Sequence, residues 1–275
     1  MAKRVITPSG LGFLLLDAHP AGCERTVLDL ANSVLRLADG RQGRRPVALV
    51  IGSSAGYGLA MTVAGLLRHG ITGLGICYEK APGRRTGTAG WYRTAATAGI
   101  SSLYGDELTF LNADAFADAT KDQAAAILAD KYGPLDFLIY SVAAPRRTDP
   151  DTGTAYTSVL KPLGQAAVTR TLSFTADGEP SLGETAIDPA SNEEKDATVA
   201  VMGGADWERW ITALNGKGLL APGFRTVALT YIGSELTAPV YRRGTIGAAK
   251  IDLEATAGRI TATLDATGGR AWTCV

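Results

Sequence analysis

Short apolar runs alternate along the chain with stretches in which apolar positions recur at helical spacing. The β-branched run VALVIG (47–52) predicts a buried strand, and a helix follows with apolar positions from Leu59 to Leu67 and Gly70 as C-cap. Further strands are predicted at 73–79, 108–115, 135–143 and 224–233, and helices at 114–133, from Asn192 through 218, and from about Ile246 to Ala262. This alternation predicts an α/β fold of Rossmann type, a doubly wound, mostly parallel sheet covered by helices on both faces.

Residues 145–195 interrupt the alternation. PRRTDPDTGTAYTSVLKPLG (145–164) is rich in turn-forming residues, and VTRTLSF (168–174) alternates like a strand of an exposed hairpin. We interpret this region as an inserted loop and hairpin subregion. RAWTCV (270–275) predicts one more sheet strand. The simplest organisation is a single domain spanning 1–275 that carries the insertion.

Composition narrows the class of partner. The chain has 275 residues, with 27 Lys plus Arg balanced by 27 Asp plus Glu, so neither nucleic acid nor an anionic membrane surface is expected as the main partner. Three scattered cysteines without a secretory signal favour the cytoplasm. The N-terminal apolar run MAKRVITPSGLGFLLL (1–16) is too short to span a bilayer. With only His19 and His69, no metal site and no Ser-His-Asp triad is predicted.

The segment GSSAGYG (52–58) is a candidate cofactor turn. It has the pattern Gly-x-x-x-Gly-x-Gly, directly after a strand and at the start of a helix. Glycines allow the backbone to approach a pyrophosphate, and the helix N-terminus offers free N–H groups. The pattern predicts a dinucleotide site; a glycine-rich turn without a ligand is the alternative.

Glu79 ends the next strand, 21 residues after Gly58. A carboxylate at this place accepts hydrogen bonds from the adenosine ribose and repels a 2′-phosphate, which favours NADH. The basic residues that follow (Lys80, Arg84 and Arg85) keep NADPH as the less favoured alternative, and a solvated surface carboxylate is the structural one.

Residues at the ends of the next two strands are also candidates. Asp114 is predicted as the N-cap of a helix, and the same turn lines the adenine pocket in doubly wound folds. Small residues at 141–144 leave room for a cofactor or simply pack. Arg146 and Arg147 either meet phosphates of a coenzyme A or acyl-carrier arm or are solvated.

The segment YRRGTIGAAK (241–250) places Tyr241 and Lys250 nine positions apart. Such a pair does not share one helix face. Gly244 and Thr245 indicate a helix start with Thr245 as N-cap, so Tyr241 lies on the entering loop and Lys250 inside the helix. A loop tyrosine folded over the lysine forms a proton donor whose phenolate form is stabilised by the ammonium. A packed aromatic and a solvated lysine are the structural alternative.

Four other residues are predicted to be structural. His19 and Cys23 are interpreted as such because a lone buried cysteine is common. Trp207 and Trp210, three positions apart, are interpreted as core aromatics.

Several segments together resemble the V-type enoyl-ACP reductases, the family that also contains the trans-2-enoyl-CoA reductases. The segments that carry the resemblance are AHPAGCE (18–24), VIGSSAGYGLA (50–60), PGRRTGTAGWY (82–92), NADAF (112–116), YSVAAPRRTDPDTG (140–153), VAVMGGADW (199–207), TYIG (230–233) and YRRGTIGAAKIDL (241–253). They are spread over almost the whole chain.

The resemblance implies an NADH-dependent enzyme of fatty acid biosynthesis, related to short-chain dehydrogenases, that reduces the carbon–carbon double bond of a trans-2-enoyl thioester of CoA or an acyl carrier protein. It implies Tyr241 as proton donor, Lys250 as a catalytic and cofactor-binding residue, and Tyr231 as a substrate contact. It implies these further cofactor contacts: Gly52, Ser53, Ser54, Ala55, Gly56 and Tyr57 at the turn, Tyr78 and Glu79 at the ribose, Asp114 and Ala115 at the adenine, and Val142 and Ala143 beside the ribose and the nicotinamide.

The sequence also departs from the family pattern. Family members continue past the strand matched by RAWTCV, and the lysine usual after Lys250 is Ile251. We therefore expect a chain lacking the C-terminal segment of the family. The alternatives are an enoyl reductase with a remodelled, open pocket, a biosynthetic tailoring enzyme for another unsaturated or carbonyl substrate, and half of a split enzyme or a non-catalytic NAD-binding subunit completed by a partner chain. Self-association is a further hypothesis.

Overall fold

The computed structural model describes residues 5–6, 10–11, 14–15, 17–37, 43–105, 107–175, 177–231 and 233–275. The elements up to the fourth sheet strand are β1 (Gly10–Leu11), β2 (Leu14–Leu15), α1 (Pro20–Leu35), β3 (Val47–Ile51), α2 (Gly56–Ala64), a π-helix (Gly65–His69), β4 (Thr72–Cys77), α3 (Ala89–Leu103), β5 (Leu108–Asn112), α4 (Asp118–Lys131) and β6 (Leu135–Tyr140). The remaining elements are β7 (Arg146–Thr148), β8 (Ala155–Thr157), β9 (Ala167–Phe174), β10 (Pro180–Ile187), α5 (Asn192–Met202), α6 (Ala205–Gly216), β11 (Leu220–Leu229), α7 (Thr245–Leu264), a 3₁₀ turn (Asp265–Thr267) and β12 (Arg270–Cys274).

The chain divides into two compact units. The first comprises Met1–Val142, Trp210–Leu229 and Leu264–Arg270, and the second Ala143–Arg209, Thr230–Thr263 and Ala271–Val275. The predicted insertion at 145–195 lies in the second unit. The single-domain organisation stays a prediction.

The first unit is built on a sheet whose strands run in the order β11-β6-β3-β4-β5. All four of these neighbouring pairs are parallel. Strand β12 begins at Arg270, the last residue of this unit. The strand order reverses between β3 and β6, as it does in the Rossmann fold, and ligands of such sheets bind outside the carboxyl ends of the strands at that point. The predicted fold class is confirmed.

The sheet explains why the apolar runs are continuous rather than alternating. All five residues of β3 are buried, as expected for a central parallel strand covered on both faces. The core beside β3 is formed by apolar side chains of α1, α2, the π-helix and α3. Its members from α1 and α2 are Val27, Ala31, Val34, Leu59 and Val63. The helices α1 and α3 have no counterpart among the sequence predictions.

Most of the other predicted elements are present with shifted ends. The helix predicted from Leu59 begins at Gly56 and continues as the π-helix. The predicted C-cap Gly70 follows the π-helix in the left-handed conformation (φ +62°). The strand predicted at 224–233 spans Leu220–Leu229 instead. The predicted strand at RAWTCV is β12. The N-terminal apolar run lies largely outside the described residues, and within them no helix is long and apolar enough to cross a membrane.

The single helix predicted from Asn192 through 218 is wrong, because it is two helices interrupted at Gly203 and Gly204. The amide N–H of Gly204 donates to Asp252 Oδ2 at 2.8 Å, so a carboxylate of α7 lies just before the N-terminus of α6. A Cβ atom on Gly204 would overlap the hydroxyl of Thr256, one turn further along α7. This close contact with α7 requires glycine and ends the first helix.

The predicted hairpin is present in the second unit. Strands β9 and β10 pair antiparallel from Ala167 opposite Ile187 to Phe174 opposite Pro180. A smaller antiparallel pair, β7 and β8, precedes it. Arg147 in β7 is buried and donates from Nη1 to the carbonyl of Ala200 in α5 at 2.8 Å. Of the two roles weighed for Arg147, solvated side chain and phosphate ligand, the structure gives it neither, since it ties β7 to α5.

Candidate functional site

The turn after β3 brings the backbone of Gly52 against the end of β6. Gly52 has a φ of +89°, and its amide and that of Ser53 both donate to the carbonyl of Ile76 at 2.9 Å. A Cβ atom at residue 52 would overlap the carbonyl oxygen of Ser141. Glycine is therefore required by both conformation and space.

The last glycine of the motif brings α2 onto this turn. A Cβ atom on Gly58 would overlap the carbonyl oxygen of Gly52 and lie 3.1 Å from the Cβ of Ser141. The turn, the start of α2 and the end of β6 thus meet without intervening side chains. This packing brings the N-terminus of α2 to the strand-order switch, which is where doubly wound folds bind a pyrophosphate.

The other residues predicted in the turn differ in exposure. Ser53 is buried and donates from its hydroxyl to the Ile76 carbonyl at 3.2 Å. Ala55 is the N-cap of α2, and Ala55, Gly56 and Tyr57 are exposed. Ser53 therefore supports the turn from within, whereas the exposed backbone at 55–57 is available to a ligand.

Glu79 lies beyond the end of β4 and is held by its backbone. Its amide donates to Asn112 Oδ1 at 2.7 Å, and its carbonyl accepts from Asn112 Nδ2 at 2.8 Å. Its carboxylate accepts from the Ser54 hydroxyl at 2.6 Å and from the Thr88 hydroxyl. Tyr78 beside it is exposed. The alternative of a solvated carboxylate does not describe Glu79, because both of its oxygens have protein donors.

The prediction that Asp114 is an N-cap is wrong. Helix α4 begins at Asp118, with Ala117 as its N-cap. The Asp114 carboxylate instead accepts from the amide of Phe116 at 3.0 Å, which closes a local turn two residues on. Asx-turn geometry competes with capping, and here it delays the helix by four residues.

Two buried side chains hold the carbonyl of Ala115 in this turn. Trp210 Nε1 donates to the Ala115 carbonyl at 3.1 Å, and Lys121 Nζ donates to the same oxygen at 3.0 Å. The ammonium of Lys121 also lies 5.0 Å from the centre of the Trp210 ring. Trp207 and Trp210 are both fully buried, as predicted for core aromatics. Their spacing gave no sign of the bond to Ala115, which comes from a residue 95 positions away.

At the end of β6, Ser141 continues the sheet by donating its amide to the carbonyl of Ile51 at 2.8 Å. Val142 after it is half-buried, and Ala143 is exposed. Both remain predicted cofactor contacts.

In the second unit, Tyr241 lies on a series of tight turns. Its amide donates to the carbonyl of Thr237 at 3.0 Å, and the base of its side chain packs on Gly233, which has a φ of +75°. The rings of Tyr241 and Tyr231 meet edge to face, with centroids 5.6 Å apart. Tyr231 is exposed. The structure thus brings the predicted proton donor and the predicted substrate contact together.

The glycines of YRRGTIGAAK explain how the loop meets the helix. A Cβ atom on Gly247, in the first turn of α7, would overlap the carbonyl oxygen of Arg242, and one on Gly244 would overlap that of Val240. The loop that carries Tyr241 therefore lies directly on the first turn of the helix that carries Lys250. This confirms that Tyr241 and Lys250 are a loop residue and a helix residue.

Thr245 begins α7 but is not its predicted side-chain cap. Its hydroxyl donates to the carbonyl of Val159 and accepts from the amide of Lys161 at 3.3 Å. Its own amide donates to the Lys161 carbonyl at 3.0 Å. The segment 159–161 thus holds the start of α7, a long-range contact that the local capping pattern could not predict.

The side chain of Lys250 is half-buried. Burial lowers the pKa of its ammonium from the ordinary value of a lysine. Within the described ranges, Lys250 has no hydrogen bond and no carboxylate partner. Lys250 is therefore not a fully solvated lysine of a helix. No described residue offsets the free-energy cost of burying its ammonium.

A Rossmann strand order, a glycine turn at the switch point and a carboxylate beyond the next strand together define a dinucleotide-binding protein of the Rossmann class. Two family models match consecutive parts of this chain. The NAD(P)H binding domain of trans-2-enoyl-CoA reductase matches residues 5–84, and the trans-2-enoyl-CoA reductase catalytic region matches residues 85–275. The chain belongs to the trans-2-enoyl-CoA reductase family.

Relatives support this membership over the full chain. An enoyl-[acyl-carrier-protein] reductase [NADH] of Streptomyces avermitilis is 58% identical over 268 residues, which cover 98% of this chain and 68% of the relative. One of Pseudoalteromonas atlantica is 45% identical, over 93% of this chain and 64% of its own. The crystal structure of Treponema denticola trans-2-enoyl-CoA reductase in complex with NAD matches with a TM-score of 0.92 at 39% identity, over 99% of this chain and 68% of that one. The chain thus spans about two thirds of the length of these relatives.

The contribution of the contact between Gly52 and Ser141 to stability can be tested by comparison with a glycine that is favoured only by its backbone conformation. Gly133 has a similar φ of +85°, but no atom of the described residues lies within 4 Å of the place where its Cβ would stand. We expect Gly133→Ala to lower the free energy of unfolding by about 1–2 kcal/mol. Gly52→Ala should cost about 3 kcal/mol or more, because it adds a backbone overlap. Urea unfolding measures both; equal losses would show that the contact does not matter.

The burial of Lys250 predicts a pH-dependent gain in stability when its charge is removed. Since its pKa is lower in the folded state, the ammonium destabilises the fold fully below that folded pKa, and the penalty disappears as pH rises toward the unfolded value. Lys250→Met in the protein without cofactor should therefore raise the melting temperature at pH 7, and the gain should shrink as pH rises toward the ordinary lysine pKa. Lys80→Met, at an exposed lysine, is the control and should show no gain. A Lys250→Met protein that melts below the wild type at pH 7 would contradict this account.

Proposed function

We propose that the protein is an NADH-dependent reductase of the carbon–carbon double bond of trans-2-enoyl thioesters. The observation that carries the proposal is the seating of Tyr241 on the first turn of α7, the helix of Lys250, in a member of this family. The names of the relatives agree with the reaction expected from the sequence, since they specify enoyl reduction and NADH.

The residues of the first unit fit a nicotinamide dinucleotide. Gly52 and Gly58 allow the turn and α2 to pack closely at the end of β6, and the pyrophosphate would approach the exposed backbone at 55–57. We assign the carboxylate of Glu79, beyond the end of β4, as the acceptor for the adenosine ribose, a role that favours NADH over NADPH. When bound, NADH supplies the hydride. We assign the residues from Gly52 to Tyr57, Tyr78, Glu79, Asp114, Ala115, Val142 and Ala143 to its binding.

The residues of the second unit supply the proton chemistry. As hydride reaches the β-carbon, the electron pair of the double bond moves to the thioester oxygen and forms an enolate. Tyr241 donates a hydrogen bond to that oxygen and provides the proton that completes reduction at the α-carbon. Lys250 holds the cofactor ribose, and its ammonium stabilises the phenolate of Tyr241. Tyr231, in contact with the Tyr241 ring, is assigned to the acyl chain.

The acyl group is carried by CoA or by an acyl carrier protein, since the names of relatives contain both. Self-association, a partner chain and a cytoplasmic location stay predictions.

The reaction is tested with purified protein, NADH and crotonyl-CoA, by loss of the NADH absorbance band. We expect turnover, and NADPH should serve poorly. Binding of NADH without its oxidation would favour the alternative of a non-catalytic NAD-binding subunit.

The role of Tyr241 is tested by Tyr241→Phe. Because this change removes only the hydroxyl, it should lower kcat by about 10²-fold or more, the range of a lost general acid, while the Kd for NADH stays the same. Tyr156→Phe, at a half-buried tyrosine of β8, is the matched control and should keep its rate. An unchanged kcat in Tyr241→Phe would refute the assignment.

A further inference from the structure

The carboxylate of Glu79 is held at both of its oxygens. Ser54 Oγ donates to Oε1 at 2.6 Å, and Thr88 Oγ1 donates to Oε2. Thr88 is itself fixed, because its hydroxyl accepts from the amide of Lys80 at 3.1 Å. Asn112 holds the Glu79 backbone from the other side. The direction of the carboxylate is therefore set by the fold before any ligand arrives.

The groups that hold the carboxylate leave its charge intact. Both side-chain donors are neutral hydroxyls, and within the described part of the chain no lysine or arginine forms an ion pair with Glu79. A carboxylate has about four acceptor positions, so it keeps acceptors for a ribose diol. It also keeps the negative charge that repels a 2′-phosphate.

The Glu79 carboxylate can occupy this position only because residue 90 is a glycine. Gly90 lies in the first turn of α3, directly after the N-cap Thr88 and Ala89. A Cβ atom there would overlap Glu79 Oε1 and lie 2.8 Å from Oε2. Any residue other than glycine would displace the carboxylate and break its bond to Ser54.

We propose that Thr88 and Gly90 are specificity-determining residues that set the preference for NADH over NADPH by fixing the carboxylate of Glu79. They act through Glu79 and are positioning residues. The inference rests on the proposed function only in that the cofactor is a nicotinamide dinucleotide.

The test is the ratio of the dissociation constants for NADPH and NADH, measured by nucleotide fluorescence on the full chain. In Gly90→Ala the carboxylate is displaced, so NADH loses its acceptor and NADPH loses the repulsion. We expect the ratio to fall about tenfold or more, a factor in keeping with loss of a hydrogen bond to a charged group. Gly99→Ala is the matched control, because Gly99 is an exposed glycine of the same helix with open space around it, and its ratio should stay that of the wild type.

A second pair of variants keeps the test decisive if Gly90→Ala fails to fold. Thr88→Val removes the hydroxyl at nearly the same volume and should lower the ratio, whereas Thr88→Ser retains the hydroxyl and should restore it. Folded variants with the wild-type ratio in Gly90→Ala or in Thr88→Val would overturn the inference, and so would a wild type that binds both cofactors equally.

Because the readout is binding, failure of the inference is distinct from failure of the proposed reaction. If the wild type prefers NADH but does not reduce crotonyl-CoA, the proposed reaction is wrong. The ratios of dissociation constants in the variants still decide the inference. A wild type that reduces crotonyl-CoA, with ratios unchanged in the folded variants, removes the inference alone.

Discussion

The contact between the backbone of Gly52 and the carbonyl of Ser141 is the constraint on which the first unit's site depends. It joins the ends of β3 and β6 at the point where the strand order reverses. Because no side chain fits at residue 52 or at residue 58, the turn and the start of α2 lie against the sheet edge, and the exposed backbone at 55–57 lies beside it. The same turn carries Ser54, whose hydroxyl donates to Glu79, so the residues proposed for the phosphate and for the ribose are joined by a hydrogen bond.

In the second unit, too, glycines allow segments of the chain to pack closely. Gly247 lets the loop of Tyr241 rest on the first turn of α7, and Gly204 lets the start of α6 rest on Thr256 further along that helix. The helix that carries Lys250 is thereby held at two places. Lys250 is left partly buried and without a described side-chain partner, and this burial lowers the pKa of its ammonium. A pKa shifted in this way is typical of a functional site.

The sequence predicted what depends on local pattern and missed what depends on distant contacts. Buried strands such as β3 were predictable because central parallel strands are continuously apolar, and the hairpin because its residues alternate. The break at Gly203 and Gly204 was not, since its cause is Asp252, 48 positions away. Helix α3 was missed because small residues and glycines weaken its apolar period. The glycines of GSSAGYG and YRRGTIGAAK indicated the candidate site, and the family resemblance indicated its residues. The hydroxyls that hold Glu79 and the contact of the buried Lys121 with Ala115 depend on the folded structure and could not be predicted from the sequence.

The proposed reaction needs two chemical parts, hydride donation by NADH and protonation by Tyr241. The most direct test follows the hydrogens. Crotonyl-CoA is reduced in ordinary water with NADH that carries deuterium at both C4 positions, and the butyryl-CoA product is analysed by NMR. The account predicts one deuterium at the β-carbon and solvent hydrogen at the α-carbon. Deuterium at the α-carbon, or a product without label, would contradict it.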